Sequence, residues 1–152
     1  MNQINVKRML LAGLAMLVVW IAVEILVERV ISQFLFGQTT SDMWLQTIDL
    51  SHWTALNYWV SGLLPLLNCT ILIWLYASLR PMFGVGTRTA LITSAFGVIL
   101  GFSLVINFIN LGLLPVRLGL MEAIFETIEF PIAMIVGAGV YEGGGKGTRE
   151  AG

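Results

Sequence analysis

Apolar residues along this chain of 152 residues gather into four blocks, each of bilayer-crossing length, joined by short polar segments. A helical crossing needs about 20 apolar residues at 1.5 Å rise per residue. The pattern predicts spans over about 9–36, 58–79, 89–110 and 118–141. Pro65 and Pro131 fall inside two of them. A proline is tolerated in a spanning helix where neighbours satisfy the carbonyl it releases. The expectation is an all-helical fold: a four-helix transmembrane bundle with a short external interfacial helix, as a single integral-membrane domain.

That external helix falls in the segment Gln38 to Trp53. Ser41 is read as its cap and Asp42 as favourable in its first turn. Trp44, Leu45 and Ile48 give one apolar face, and Trp44 and Trp53 are expected to hold it at the membrane surface. Tyr58 and Trp59 at one end of span two, and Trp74 and Tyr76 at the other, suit the two interfaces. Trp20 lies mid-span, packed in the bundle or turned to lipid. The glycine-dense stretch 142–152 lacks the side chains of a packed unit and reads as a flexible tail. It has no phosphate-loop spacing.

Composition agrees with lipid as the solvent: 57% of residues are hydrophobic, 11% are charged, and mean hydropathy is +0.88. A net charge of −1 without a basic stripe gives no nucleic-acid footprint. Cys69 is the only cysteine, so no internal disulfide forms, and a packing thiol is expected. Lys7 and Arg8 precede an apolar run too long for a signal peptide, so the run reads as a retained first span. Lys7, Arg8, Arg80, Arg88, Lys146 and Arg149 fall on one side of a four-span arrangement, and only Arg29 and Arg117 on the other. The positive-inside rule then places both termini in the cytoplasm, in a bacterial inner membrane.

The acidic residues change the picture most. Glu24 and Glu28 lie in span one; Glu122, Glu126 and Glu129 lie in span four. A carboxylate in hydrocarbon is costly and marks a functional site by default. Four-residue spacing puts Glu24 with Glu28, and Glu122 with Glu126, on one helix face each, with Glu129 continuing the second. The spans run in opposite directions, so depth counting pairs Glu24 with Glu126 and Glu28 with Glu122, and sets Glu129 deepest. Asn107 and Ser103 of span three, Asn68 of span two, and Asp49 and His52 of the connector complete a polar vestibule. Gly97 with Gly101, and Ala133 with Gly137, form small-residue faces for close helix packing.

Clustered, buried carboxylates favour neutral forms and titrate together. This points to a proton or ion path through Glu24, Glu126, Glu129, Asn107 and Ser103. A bound cation is the other solution, with Glu24, Glu28, Glu122 and Glu126 as oxygen ligands suited to Mg, Ca or Mn. The bland alternative pairs Glu28 and Glu122 with Arg29 or Arg117 at the surface. His52 then only anchors the connector. No Glu-x-x-His pair of the di-iron bundles is present. The function class expected is a small membrane component that binds or transports protons or another small cation. The alternatives are a non-enzymatic accessory subunit of a larger membrane complex, a homo-oligomer included, and a membrane enzyme acting on a lipid or quinone.

Overall fold

The structure is a computed structural model that describes residues 4–47 and 50–143. It is all-helical. Span one consists of α1 (Val6–Val27), a π-helical turn (Glu28–Ser32) and a last α turn, α2 (Gln33–Phe36). The connector carries α3 (Thr40–Thr47) and a 3-10 turn (Leu50–His52). Spans two, three and four are α4 (Ala55–Phe83), α5 (Thr87–Asn110) and α6 (Val116–Gly143). Among the described residues, four helical stretches are long and apolar enough to cross a membrane, so the chain is a small integral membrane protein. Glu142 and Gly143, expected in the tail, continue α6. Ile48, Asp49 and the remaining tail residues, Lys146 and Arg149 among them, lie outside the described residues.

The helices form a ring in which α6 packs most extensively, between α1 and α5, while α4 closes the ring opposite it. The main core lies toward the terminus side. There Ala12, Met16, Cys69, Ile73, Tyr76, Ala133 and Met134 are buried together. Small residues set these approaches. A Cβ on Gly13 would sit 2.6 Å from the Thr70 hydroxyl of α4, and one on Gly137 would sit 2.8 Å from Ile73. A polar clamp finishes this end. Arg80 and Glu142 form an ion pair at 2.8 Å, and the Arg80 guanidinium lies 5.3 Å from the Tyr141 ring centre. Tyr76 is not an interfacial ring. It is fully buried, and its hydroxyl accepts the Gly86 N–H at 3.1 Å, which closes the α4–α5 turn.

A second core, Val27, Met43, Leu114, Leu118, Met121 and Phe125, holds the connector side. The chain reaches it through Gly37, whose φ of +70° lets α2 end in a left-handed residue. Span two does not share in this core. Every residue from Thr54 to Leu64 is exposed, so the first turns of α4 stand apart from the other spans. They rejoin the ring after Pro65, the residue with no N–H to give to its helix.

Candidate functional site

The two outer carboxylates are tied to the connector. Glu28 Oε1 accepts the Ser41 backbone N–H at 2.6 Å and the Thr40 hydroxyl at 3.0 Å. A carboxylate at the start of α3 satisfies an otherwise orphaned N–H and opposes the positive helix end. The cap of α3 is therefore shared. Thr39 and Asp42 bond reciprocally, and Ser41, expected as the cap, is the second residue of the helix and gives its N–H to Glu28. The π-helical turn begins at Glu28 itself. Beyond it, the buried Ser32 hydroxyl donates to Gln38 O at 2.7 Å, holding the hairpin between span one and α3.

Glu122 Oε1 accepts the Trp44 indole N–H at 2.6 Å. Trp44 thus faces span four and packs against the connector-side core, rather than serving only as a membrane-surface anchor. Leu45 on the same helix is 64% exposed.

The inner three carboxylates behave differently. Glu122 and Glu129 are seven residues apart, only about 20° apart around an α-helix, whereas Glu126 is turned about 60° from Glu129. The acidic stripe therefore splits. Glu129 turns to α1, where its Oε2 accepts the Trp20 indole N–H at 2.9 Å. Trp20 also stacks on Phe130, with ring centres 5.2 Å apart. Glu126 turns to α5, where its carboxyl lies against Gly101. A Cβ on Gly101 would fall 2.9 Å from the carboxyl carbon. Gly101 was expected only as a packing residue, yet it makes the space for this carboxyl. Gly101 is nine residues from the end of α5 and Glu126 ten from the start of α6, so the depth counting used for the glutamates would have matched them.

Glu24 is exposed on the flank of α1. It nonetheless interacts electrostatically with Glu122 and Glu28, while Glu129 interacts with Glu24, Glu122 and Glu28, and Glu126 with Glu122 and Glu129. The five acids thus form one electrostatic cluster. They do not form one ligand cage. Among the described residues, no group of three or more His, Cys, Asp or Glu is placed to hold a metal ion. The proposed cation set of Glu24, Glu28, Glu122 and Glu126 is dispersed because Glu28 and Glu122 serve α3 while Glu126 faces α5.

Asn107, Ser103, Asn68 and His52 are exposed. The Ser103 hydroxyl donates to Ile99 O of its own helix at 2.8 Å. Asp49 lies outside the described residues.

Two acceptor atoms define the chemistry. Glu126 Oε2 and Glu129 Oε1 are buried without a hydrogen-bond partner among the described residues, and Glu129 as a residue is only 3% exposed. An unfilled carboxyl oxygen in an apolar interior calls for a donor: a proton on the acid itself, or N–H or O–H groups from a guest. On the terminus side of Glu129, the next turns of α6 carry Ala133, Met134 and Gly137, packed on Met16 and Ile73. The cluster therefore ends on an apolar seal.

The chain matches no protein-family model, no curated protein and no solved structure.

Proposed function

We propose that this membrane protein takes up and releases protons at Glu126 and Glu129, from the side of the membrane that carries the connector. The observation that carries this reading is the pair of buried, partnerless oxygens, Glu126 Oε2 and Glu129 Oε1. Protonation removes a charge from a low-dielectric interior and supplies the missing donor at the same atoms. Trp20 serves the remaining oxygen of Glu129 in either state, because an indole N–H donates to a neutral or an ionised carboxyl. A proton suits the arrangement better than Mg, Ca or Mn, which would need several oxygen ligands converging on one point. Glu24, exposed and within electrostatic range of Glu129, is the exchange group toward water or headgroups. Passage beyond the apolar seal then requires a rearranged state or a second copy of the chain.

The test is reconstitution into vesicles with an imposed pH gradient and an enclosed pH-sensitive dye. Wild type is expected to dissipate the gradient faster than empty vesicles, and Glu126→Gln and Glu129→Gln to remove the excess. Equal flux in wild type and Glu126→Gln sinks the reading. Infrared titration follows binding without transport: a carboxyl band that changes with pH should vanish in the Glu126→Gln/Glu129→Gln double variant.

A second reading is favoured by one feature. The first turns of α4 are exposed on every side, with Leu56 and Trp59 each 70% exposed. Such turns suit an accessory subunit of a larger membrane complex, with a partner helix packed where this chain supplies none.

A further inference from the structure

Span two carries a polar group that its own bundle leaves unserved. Asn68 is the fourteenth of the 29 residues of α4. At 1.5 Å per residue its amide sits about 20 Å from either end of the helix, near the middle of a hydrocarbon layer about 30 Å thick. The side chain is exposed on the outside of the bundle and has no hydrogen-bond partner among the described residues. Lipid at that depth offers no donor or acceptor, so two amide N–H groups and a carbonyl would stay unfilled, which is costly. Asn107 and Asn110 of α5 are exposed too, but they lie in its last turn, where water and headgroups serve them.

The residues around Asn68 form a seam. Ser61, Leu64, Asn68, Ile71, Leu75 and Ser78 alternate three and four apart, the spacing at which one helix follows another. Five are exposed and Leu75 is partly buried. The seam runs about 26 Å, most of the hydrocarbon thickness. It is turned away from the packed face of α4, whose Cys69, Ile73 and Tyr76 are buried in the main core. Pro65 adds a second orphan. It has no N–H to give to the carbonyl of Ser61, which lies on the same seam.

We propose that this face of α4 is a contact between two copies of the chain, paired about a two-fold axis along the membrane normal with Asn68 opposite Asn68. Three features select a second copy over a different partner. Copies inserted with the same topology carry Asn68 at the same depth on parallel helices. An amide is self-complementary, since it donates and accepts, so two of them close each other's hydrogen bonds. No Lys, Arg, Asp or Glu lies on the seam to call for an opposite charge. In parallel helix pairs a lone Asn at such a position fixes register and the number of strands. Ser61 and Ser78 are small, which lets the helices approach near both ends of the seam. The pairing stands apart from proton exchange at Glu126 and Glu129 and holds with or without it.

The experiment uses the full chain in vesicles of zwitterionic lipid, with donor and acceptor dyes on the N-terminus, and follows energy transfer as the protein is diluted into lipid. Wild type is expected to show transfer above chance that falls at a defined dilution. Asn68→Leu is expected to weaken association about three- to thirtyfold, the scale of one interhelical hydrogen bond in lipid. Asn68→Gln, which keeps the amide, is expected to retain most of it. Asn68 holds nothing within its own chain, so thermal unfolding of the Asn68→Leu monomer should match wild type. Ile71→Cys is expected to form disulfide-linked dimers under a membrane-permeant oxidant, while Ile132→Cys, exposed on α6, is not. The native Cys69 is buried and stays silent. Chance transfer in wild type at every dilution, association of Asn68→Leu equal to wild type, or equal cross-linking at positions 71 and 132 would each overturn the proposal. The wild-type dilution and the Ile71→Cys cross-link decide even if Asn68→Leu misfolds. The readout is association rather than flux, so failure of the pairing and failure of proton exchange are told apart.

Discussion

At the scale of single residues, the site depends on a missing side chain and an indole. Gly101 leaves room for the Glu126 carboxyl, and a methyl there would meet the carboxyl carbon at 2.9 Å. Gly101→Ala should therefore overpack the α5–α6 contact and cost about 1–3 kcal/mol. The pair is diagnostic because Glu126→Ala removes the atoms that clash. The double variant should recover most of the loss, giving a coupling well above the scatter of independent sites, measured as thermal unfolding in detergent across the four-member cycle. Equal destabilisation with and without Glu126 would mean that Gly101 matters only for backbone approach. Trp20 makes the second residue-scale case. Trp20→Phe keeps an aromatic face on Phe130 but takes the indole N–H donor from Glu129 Oε2. Leaving that buried oxygen unfilled should cost about 1–3 kcal/mol. The pH-dependent carboxyl band of Glu129 in infrared spectra should shift as its hydrogen bond is lost.

At the scale of elements, the connector helix is held by acids that belong to spans. α3 has eight residues, too few to persist alone in water. Its N-terminus is fixed by Glu28 and its body by Trp44 on Glu122. Glu28→Ala should free an orphaned N–H and cost about 0.5–2 kcal/mol, the range of a lost helix cap. The loss should be local: hydrogen exchange over 40–47 accelerates while the amides of α6 keep their protection. Uniform acceleration through all spans would place Glu28 in the bundle core instead. The four spans were legible in the sequence because each is a continuous apolar block, a signal set by the bilayer rather than by neighbours. Helical spacing and opposed direction drew the acids of spans one and four toward one region, but the expected pairing of Glu24 with Glu126 is not seen: Glu24 interacts with Glu122 and Glu28, while Glu126 turns to Gly101. The partners of those acids were not legible. The group that takes Glu28 is a backbone N–H on another element, which leaves no trace in residue identity. Ser41 was read as the cap from its type alone, whereas Thr39 and Asp42, three apart, form the reciprocal pair. Tyr76 was placed at an interface because of its position near a span end. The α4–α5 turn draws it inward by offering an N–H to its hydroxyl.

At the scale of the whole molecule, the two ends of the bundle are built differently, and this asymmetry argues for its orientation. The terminus side is closed by the main core and by the Arg80–Glu142 clamp. The connector side holds the acids, the departed turns of α4 and the short helix α3. Among the described residues, Lys7, Arg8, Arg80 and Arg88 lie toward the terminus side, and Arg29 and Arg117 toward the other. Basic flanks resist translocation, so the terminus side should face the cytoplasm and the acidic cluster the opposite compartment. Single-cysteine labelling in intact cells tests this with little interference, because the native Cys69 is fully buried in the core and should stay silent. Gln46→Cys on the exposed face of α3 should react with a membrane-impermeant maleimide from outside. Val85→Cys, at a turn position that is 67% exposed, should react only after the membrane is opened. The reverse pattern would put the carboxylates on the cytoplasmic side, and protons would then enter the cluster from the cell interior.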